Sequence, residues 1–484
     1  MFLHTENRWH SLTLALLLLF AAALPHSIAA AQTAAGLAAA IWLAGLAIQR
    51  RCPARSALDI PILLFVAASI LAAVFSLEPA VSVAKLKATC LMLLIPLTAD
   101  AIRNRRQAAL LVGVLLGSAT VGAAPVVWEK IVGRGVEVLA LEETSPLRRA
   151  GVLPSDIILA CNGEEINRPQ ELRTLLSTHE AAGALVCQAM RGGILPYEFK
   201  LRAEWLHEAA ATEHWGYKAT VGRSIRARGT YGHWTTYAEV LLQLAALACG
   251  LWLAYPGKRR WPGVLLAAVP LLLGAALAAT FTRASWAALA LAVLAMVWVK
   301  LGWRGRVAAL VVVVLTIGAM NELLVRWRGM GFYNPADLSM QYRRMMWADG
   351  LRLMGEHPWL GVGMDTVTVH WRELGLRAYE QFGLQSHFHS TPIQLGVERG
   401  LLGLAAWLIF VAAYLRVLFR LLRGSSKEDW LAHGIALGIF GGVCGFLTSG
   451  LLHYNLGDSE VAMVLWLLAG VTLSLARFRP ETVA

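Results

Sequence analysis

The sequence predicts an all-α polytopic membrane protein with about twelve transmembrane helices and a small inserted α/β domain. Of the 484 residues, 57% are hydrophobic and only 15% are charged, which excludes a soluble domain of this size. Apolar stretches of about twenty residues, each long enough to cross a hydrocarbon core of about 30 Å, recur along the chain. Residues 133–203 break this pattern. The predicted spans are 10–29, 32–49, 58–77, 84–102, 108–128, 235–255, 262–280, 284–302, 307–323, 392–415, 430–451 and 460–476.

The distribution of basic residues predicts the orientation of these helices. Arg and Lys are concentrated in alternate loops such as 50–55 and 103–106, whereas the other short loops contain a single basic residue, Arg283. Because cytoplasmic loops carry the excess of Lys and Arg, both termini are expected to be cytoplasmic and the long loops 129–234 and 324–391 to face outward. This topology also explains the formal net charge of +12, so no nucleic-acid partner is needed.

The first apolar stretch has two interpretations. Small residues follow it, as in a cleaved signal peptide, but the residues before it are barely basic, and we favour an uncleaved helix. Cleavage would leave the rest of the topology unchanged. The predicted organisation is transmembrane helices 1–5 at 1–128, an inserted domain at 129–205, helices 6–9 at 206–323, a large outer loop at 324–391, and helices 10–12 with a tail at 392–484.

The inserted domain is predicted to combine strands with one helix. Hydrophobic residues alternate with period two in 135–143, 156–166 and 185–190, and residues 169–179 have helical spacing. Turn signals such as Ser145-Pro146 separate these segments. Together with Gly133-Arg-Gly-Val136, Arg149-Ala-Gly-Val152, Ser155-Asp-Ile-Ile-Leu159 and Asn162-Gly163, this order resembles a PDZ domain of the bacterial type.

The PDZ resemblance implies binding of an extended peptide by strand addition, with a C-terminal carboxylate held on backbone N–H groups. The strand would be Val136–Leu141 and the carboxylate loop Gly133–Val136. The alternative is a degenerate domain that only packs on the membrane body. The expected peptide-binding residues are Gly133, Gly135, Val136 and Val138.

Six cysteines are scattered without a CxxC pattern, which signals neither a zinc site nor a disulfide framework. Cys161 and Cys187 share the inserted domain and would pair in an oxidising compartment; the alternative is two buried strand residues. A PDZ domain in a membrane protein first suggests an intramembrane metalloprotease. Since the chain lacks both HExxH and GxSxG, proteolysis is not expected.

Three groups of basic and imidazole residues are predicted at the same outer face. They are Arg226 and Arg228 before the sixth span, Arg283 at the seventh, and the 324–391 loop with Arg343, Arg344, His357, His387 and His389. Arg283 is either an interface anchor with its charge at the membrane edge or part of an anion site. We favour the anion site because two further groups of arginines are predicted on that face.

These groups resemble the O-antigen ligase and O-antigen polymerase family of bacterial membrane glycosyltransferases. The resemblance covers most of the chain apart from the inserted domain. It departs at Ser390, where the family often has Asn, and at Thr391-Pro392. The matching segments are Arg226–Tyr231, Thr280–Trp286, His357-Pro358-x-x-Gly361-Val362-Gly363 and His389-Ser390-x-x-x-Gln394-x-x-x-Glu398-x-Gly400-x-x-Gly403.

The resemblance implies transfer of a glycan from an undecaprenyl-pyrophosphate carrier to an acceptor hydroxyl, at the periplasmic face of a bacterial inner membrane. Arg226 or Arg228 would act with Arg283 on the leaving pyrophosphate, because guanidinium groups bind such oxygens bidentately. His389 would be the general base, with His387 as its rival. No DxD motif is present, so neither a metal nor another cofactor is expected. The candidate substrate-binding residues are His387, Gln394, Arg344, His357 and His453.

Glu398, about two and a half turns after His389, is expected to have a structural role or to pair with Arg399 or another helix. The acceptor remains open: a lipid A–core sugar, the growing glycan, or a Ser/Thr of a protein recruited by the PDZ-like domain. The alternative of another class is a non-enzymatic scaffold or transporter whose working part is the PDZ-like domain. The expected partners are thus a lipid-linked glycan donor, one of these acceptors, a peptide and membrane lipids.

Overall fold

The computed structural model describes residues 2–178, 184–257, 260–300, 302–328, 331, 337–383, 386–424 and 429–478. The chain divides into two compact units. The helical unit comprises Met1–Gly122, Arg228–Ala278 and Thr282–Ala484, and the sheet unit comprises Ala123–Ala227 and Ala279–Phe281.

The elements follow one another in three groups along the chain. The first is α1 (Phe2–Ala23), α2 (Ile28–Ile48), α3 (Asp59–Val74), α4 (Pro79–Thr89), a 3-10 turn (Cys90–Leu93), α5 (Leu94–Ala101) and α6 (Arg105–Val132). The second is β1 (Val136–Leu141), α7 (Pro146–Arg149), β2 (Ile157–Cys161), β3 (Glu164–Glu165), α8 (Pro169–Thr178), β4 (Leu185–Arg191), β5 (Leu195–Leu201), α9 (Ala203–Ala211) and β6 (Tyr217–Val221). The third is α10 (Trp234–Ala254), α11 (Trp261–Ala279), α12 (Arg283–Lys300), α13 (Trp303–Arg328), α14 (Leu338–Glu356), α15 (Thr366–Val369), α16 (Arg377–Phe382), α17 (Thr391–Gly424), α18 (Trp430–Ser449), a 3-10 turn (Asn455–Gly457) and α19 (Ser459–Arg477).

Nine helical segments of the described residues are long and apolar enough to cross a membrane. By this criterion of length and composition, the described residues contain fewer membrane spans than the predicted twelve. The other three predicted spans coincide with shorter apolar helices of 10–17 residues, at Arg8–Ala23, Asp59–Val74 and Arg283–Val299. Of these three, Asp59–Val74 is the shortest complete helix, with 16 residues or about 24 Å, which is less than a full hydrocarbon core.

Helices α10 and α18 pack with their backbones in contact. A Cβ atom at Gly250 would lie 2.1 Å from the backbone nitrogen of Gly438, and one at Gly438 would lie 2.4 Å from the carbonyl oxygen of Leu247. Small residues permit this close approach of membrane helices. A buried carboxylate adds polar contacts: Glu239 of α10 accepts hydrogen bonds from Ser285 (2.9 Å) of α12 and from Ser449 of α18.

Helix α17 is broken at Gly400, whose backbone has φ 63° and ψ −171°. In an unbroken helix the N–H groups of Leu401 and Leu402 would bond to the carbonyls of residues 397 and 398. Here they donate to the carbonyls of Pro358 (2.6 Å) and Trp359 (3.3 Å) instead. The freed carbonyls accept from two other N–H groups: Val362 donates to Val397 (2.8 Å) and Gly363 to Glu398 (3.1 Å).

The segment 358–363 thus satisfies the backbone groups that the break in α17 leaves without helical partners. Glycine is required at the contact because a Cβ atom at Gly361 would lie 2.3 Å from the carbonyl oxygen of Val397, and one at Gly400 would lie 2.2 Å from that of Trp359. The segment 358–363 is therefore the local support of the broken helix.

The sheet unit contains a six-stranded sheet in the order β5-β4-β2-β1-β6, with β3 on β2, and every pairing is antiparallel. Its core combines strand residues such as Val136, Val138 and Ile158 with Leu172 and Leu176 of α8. The two open cysteine interpretations both hold, since Cys161 and Cys187 are buried strand residues that also form a disulfide between β2 and β4.

Strand β1 coincides with the predicted peptide-binding strand, but both of its edges are paired. One edge pairs with β2 and the other with β6, in a register that places Val136 opposite Val221. Strand β6 lies beyond residue 205, the predicted end of the inserted domain. The edge of β1 that faces β6 is therefore paired from Val136 to Leu141, whereas the edge that faces β2 is paired only over Val136–Val138.

Candidate functional site

Two loops of the helical unit bring three histidines together. His387 and His389 precede α17, and His453 follows α18. The ring centroids of His387 and His389 lie 4.4 Å apart, and the ring of Tyr454 lies 5.8 Å from that of His387. We call His387, His389 and His453 the histidine cluster. The sequence predicted all three as site residues.

The first turn of α17 fixes these two loops to each other. Thr391 donates its backbone N–H to the carbonyl of Gly450 (2.7 Å) and its hydroxyl to the carbonyl of His453 (3.1 Å). Gln394 accepts a hydrogen bond from the backbone N–H of Phe388 (2.8 Å), the residue between the other two histidines. His389 itself has a left-handed φ of 50°, a conformation that costs a non-glycine residue about 1–3 kcal/mol and tends to occur at functional sites.

Burial keeps the histidine cluster neutral. It lowers the pKa of His387 to about 4, of His389 to about 2 and of His453 to about 3, and the positive charge of Arg343 adds to each shift. Each imidazole is thus unprotonated at neutral pH and has one nitrogen able to accept a proton. Nδ1 of His389 is buried and has no hydrogen-bond partner among the described residues.

A group of charged side chains lies beside the cluster. Arg283 at the start of α12 donates to the carbonyl of Gly331 (2.6 Å) and to Asp337, so it is ion-paired and not a free interface anchor. Although burial raises the pKa of Asp337, the hydrogen bond and charge of Arg283 hold it below its ordinary value. Asp337 also caps α14 by accepting from the N–H of Ser339 (2.9 Å).

Arg343 on α14 connects this charged group to the histidines. Burial lowers its pKa, and the charge of Arg283 lowers it further. Its neighbour Tyr342 lies 5.8 Å from the ring of His389. Nε of Arg343 and Nε1 of Trp347, one helical turn further on, are buried N–H donors without a partner in the described part of the chain. Two guanidinium groups and one carboxylate leave this end of the site with a net positive charge.

Other predicted residues lie elsewhere. Arg344 is exposed on α14 next to Arg343. His357 follows the last residue of α14, fourteen residues or about 21 Å along the helix from Arg343. Arg228 is exposed in the loop before α10, and Arg226 belongs to the sheet unit.

Two contributing residues were not among the predicted site residues. Arg343 is four positions before Trp347, a spacing that places both on one helix face and that could have identified it. His233 caps α10, where its Nδ1 accepts from the N–H of Thr235 (3.1 Å), and its charge lowers the pKa of all three clustered histidines. The sequence signal that could have identified His233 was its position shortly after the Arg226–Tyr231 segment.

Glu398 and Arg399 form a buried ion pair just before the break in α17. Arg399 donates to Glu398 across 3.0 Å, which confirms the pairing expected from the sequence. Glu398 also accepts from Gln394 (2.9 Å) and from the backbone N–H of Asp365 (3.0 Å). Gln394 therefore links the histidine loop to this ion pair. Within the described residues, no group of three or more His, Cys, Asp or Glu side chains is arranged as metal ligands.

The fold and the site together define a class of protein: a multi-pass helical membrane protein in which loops at helix ends bring neutral histidines beside two arginines. Residues 266–408 match the family described as O-Antigen ligase, a range that contains Arg283, Arg343 and His389 and leaves residues 123–227 outside.

A curated relative points the same way. The O-antigen ligase of Pseudomonas aeruginosa is 28% identical over 200 residues, which are 39% of this chain and 44% of that protein. The chain thus spans less than half the length of this relative. Both comparisons support the O-antigen ligase family for the matched part of the chain.

Proposed function

We propose that this protein transfers a glycan from a lipid-linked diphosphate donor to an acceptor hydroxyl, as an O-antigen ligase does. The observation that carries the proposal is the histidine cluster beside Arg283 and Arg343, with buried N–H donors that have no partner among the described residues. A neutral base next to a cationic site is what this substitution reaction requires.

The leaving group is assigned to the cationic end of the site. Breaking the anomeric C–O bond releases a diphosphate, and its new negative charge is stabilised by preorganised N–H donors. Arg283, oriented by Asp337, and Arg343 supply guanidinium groups, which bind phosphate oxygens bidentately. Trp347 adds one N–H donor. Arg226 and Arg228 stay predicted contributors.

His389 is assigned as the general base. The acceptor hydroxyl attacks the anomeric carbon, its proton passes to the imidazole, and the electron pair of the broken C–O bond leaves with the diphosphate. The low pKa of His389 arises first from burial and then from nearby groups that include Arg343. A bound diphosphate beside Arg343 offsets that charge and raises the basicity of His389 when the donor is present. His387 remains the rival base.

The wider setting follows from the resemblance and the charge pattern. We expect an undecaprenyl-pyrophosphate carrier as donor and the periplasmic face of a bacterial inner membrane as location, with both termini cytoplasmic. A lipid A–core sugar is the first choice of acceptor; a growing glycan (polymerase) and a protein hydroxyl (protein O-oligosaccharyltransferase) share the same base and arginine chemistry.

The test restores the gene on a plasmid to a deletion strain and follows lipopolysaccharide by gel electrophoresis. His389→Ala and Arg343→Ala should each abolish the high-molecular-weight ladder while the protein remains at wild-type level in the membrane. Arg352→Ala is the matched control on the same helix, because Arg352 pairs with Glu356 and is not a candidate site residue, and its ladder should be normal. A normal ladder with both His389→Ala and Arg343→Ala would instead favour a non-enzymatic scaffold or transporter.

A further inference from the structure

A cavity of about 130 Å³ lies beside the histidine cluster and has no role in the chemistry above. Seven parts of the helical unit contribute to its wall, including α17 just before its break, the end of α4 and the loop that carries Tyr454. Its charged residues are Lys85, Asp365, Glu398 and Arg399, and its aromatic residues are Phe65, Tyr454 and Trp466.

The charges around this cavity cancel. Lys85 pairs with Asp365 (2.8 Å) and Arg399 pairs with Glu398 (3.0 Å), so the wall carries two cations and two carboxylates. A phosphate would find no net positive charge here, unlike at Arg283 and Arg343. A neutral ligand with many hydrogen-bonding groups matches this wall better.

One polar group of the wall has no partner among the described residues. The hydroxyl of Thr89, at the end of α4, is buried and makes no hydrogen bond there. Buried polar groups are normally satisfied, so an unsatisfied hydroxyl on a cavity wall indicates a ligand or water as its partner. Phe65 and Trp466 offer apolar surfaces in the same cavity. A sugar ring has this dual character, with hydroxyls at its edge and C–H groups on its faces.

The buried ion pair gives a further reason to expect a ligand. Glu398 and Arg399 lie on α17, an apolar helix long enough to cross a membrane. Ionisable residues in such helices are costly and tend to mark substrate sites. The break at Gly400 and the segment 358–363 hold this pair beside the cavity.

The position of the cavity relates it to the reaction. Tyr454 belongs to its wall and also lies 5.8 Å from His387. On the other side of the cluster, His389 lies 5.8 Å from Tyr342, the neighbour of Arg343. The order is therefore cationic end, histidines, neutral cavity. We propose that the neutral cavity binds a sugar residue of the acceptor and presents its hydroxyl to the histidine cluster; this rests on the proposed function.

The test measures initial rates of the purified full-length protein, with undecaprenyl-diphosphate-linked O-antigen as donor and core-only lipopolysaccharide as acceptor. Thr89→Val replaces the hydroxyl with a methyl group of similar size and should raise the KM for acceptor about fivefold, the equivalent of about 1 kcal/mol. The KM for donor and kcat should stay unchanged. Ala88→Phe, which fills the mouth of the cavity, should raise the acceptor KM more than Thr89→Val.

Ala84→Phe is the matched control, because Ala84 is exposed one turn earlier on α4 and does not line the cavity. An unchanged acceptor KM in both Thr89→Val and Ala88→Phe, with His389→Ala still inactive, overturns the sugar site and leaves the proposed function standing. Absence of transfer by the wild-type protein overturns both. A raised donor KM would assign the cavity to the donor and also reject the proposal.

The sheet unit carries an independent inference about the edge of β1. Strand β6 runs antiparallel to β1 and ends at the Gly133–Val136 loop, where Arg134 donates to the carbonyl of Gly222 (2.8 Å) and Gly222 donates to that of Gly135 (2.8 Å). A peptide added to β1 by strand addition would take this edge. We infer that residues 217–222 are the resident ligand of β1 and close it to free peptides.

The fit at this edge leaves no room for larger residues. A Cβ atom at Gly222 would lie 2.4 Å from the carbonyl oxygen of Arg134, and one at Gly133 would lie 2.2 Å from Cγ1 of Val221. Gly222→Leu should therefore displace the end of β6 and open the edge. Lys218→Ala is the matched control, because its side chain is exposed and its backbone pairing is retained.

The probe is a fluorescent peptide with the sequence of residues 214–221 and a free C-terminal carboxylate, followed by anisotropy on the full-length protein. Wild type and Lys218→Ala should show no saturable binding, and Gly222→Leu should bind the peptide. Equal binding by wild type and Gly222→Leu overturns the inference. Hydrogen exchange on the wild type is a second measurement independent of any variant: β6 amides that exchange as fast as those of exposed loops would also overturn it.

Discussion

The two units satisfy unpaired backbone groups in different ways. In the helical unit, residues 358–363 enter the break of α17 and exchange two helical hydrogen bonds for four bonds to another segment. In the sheet unit, β6 pairs along the free edge of β1. The first contact positions polar side chains beside the site. The second occupies the strand edge at which a peptide would bind. Another segment that pairs with unpaired backbone groups can thus either support a site or block one.

The largest effect is expected when the helical contact is removed. In Gly400→Ala the new Cβ would lie 2.2 Å from the oxygen and 2.3 Å from the carbon of the Trp359 carbonyl, and φ is 63°. Since backbone atoms cannot move aside cheaply, we expect a loss of about 3 kcal/mol or more. The apparent unfolding midpoint of the purified protein in detergent should fall clearly.

The control for this variant is Gly36→Ala. Gly36 lies in α2 with nothing within 4 Å of the added methyl group, so alanine should raise stability by up to about 1 kcal/mol. If both glycine variants leave the midpoint unchanged, the contact between 358–363 and α17 does not hold the helical unit together.

The sheet unit should respond next, through its covalent bond. Replacing Cys161 and Cys187 by serine removes the β2–β4 disulfide, with an expected loss of about 2–4 kcal/mol that is confined to this unit. Cys52→Ser changes an exposed free cysteine and serves as the control. Limited proteolysis should cut the sheet unit of the double variant faster and the helices at the wild-type rate. Cleavage of both units at increased rates would mean that they unfold together.

Acid should separate the two units by an effect that is small per pH unit and accumulates as the pH falls. The pKa of His453 is about 3 in the folded protein, below the ordinary 6.5. The unfolded chain therefore binds the proton first, and the stability that neutral His453 contributes is complete above pH 6.5 and is lost as the pH falls toward about 3. The slope is at most about 1.4 kcal/mol per pH unit.

The measurement is the unfolding midpoint between pH 7 and pH 4, with His453→Gln compared with the wild type. The variant should show a flatter decline, because one protonation site is gone. His214→Gln changes an exposed histidine of the sheet unit and should leave the decline unaltered. Parallel curves for wild type and His453→Gln would contradict the role of its burial.

The smallest effect is expected at an exposed ion pair of α13. Glu322 and Arg326 pair at 3.0 Å, four residues apart, with both side chains mostly exposed. Glu322→Gln should change stability by less than about 0.5 kcal/mol, since solvent screens such pairs. A midpoint shift as large as that of the disulfide variant would show that the sizes of these stability effects do not follow the burial of the residues.

The sequence predicted the apolar helices, the alternating strands and three clustered histidines because each depends on local patterns. The position of His389 before α17 and of His453 between two spans placed both near helix ends. The sequence could not predict that β6 pairs with β1, because that pairing joins residues some 80 positions apart. Likewise Arg344 and Arg343 look equivalent in the sequence, and only the rotation of α14 distinguishes the exposed side chain of Arg344 from the half-buried side chain of Arg343.

The disulfide of the sheet unit can also report on biosynthesis. A cysteine pair on neighbouring strands becomes oxidised only in a compartment that contains thiol oxidants, and it remains reduced in the cytosol. The oxidation state of Cys161 and Cys187 in intact cells, read by alkylation before and after reduction, therefore tells which side of the membrane receives this domain. The chain thus contains its own marker of membrane topology, and no fusion reporter needs to be added.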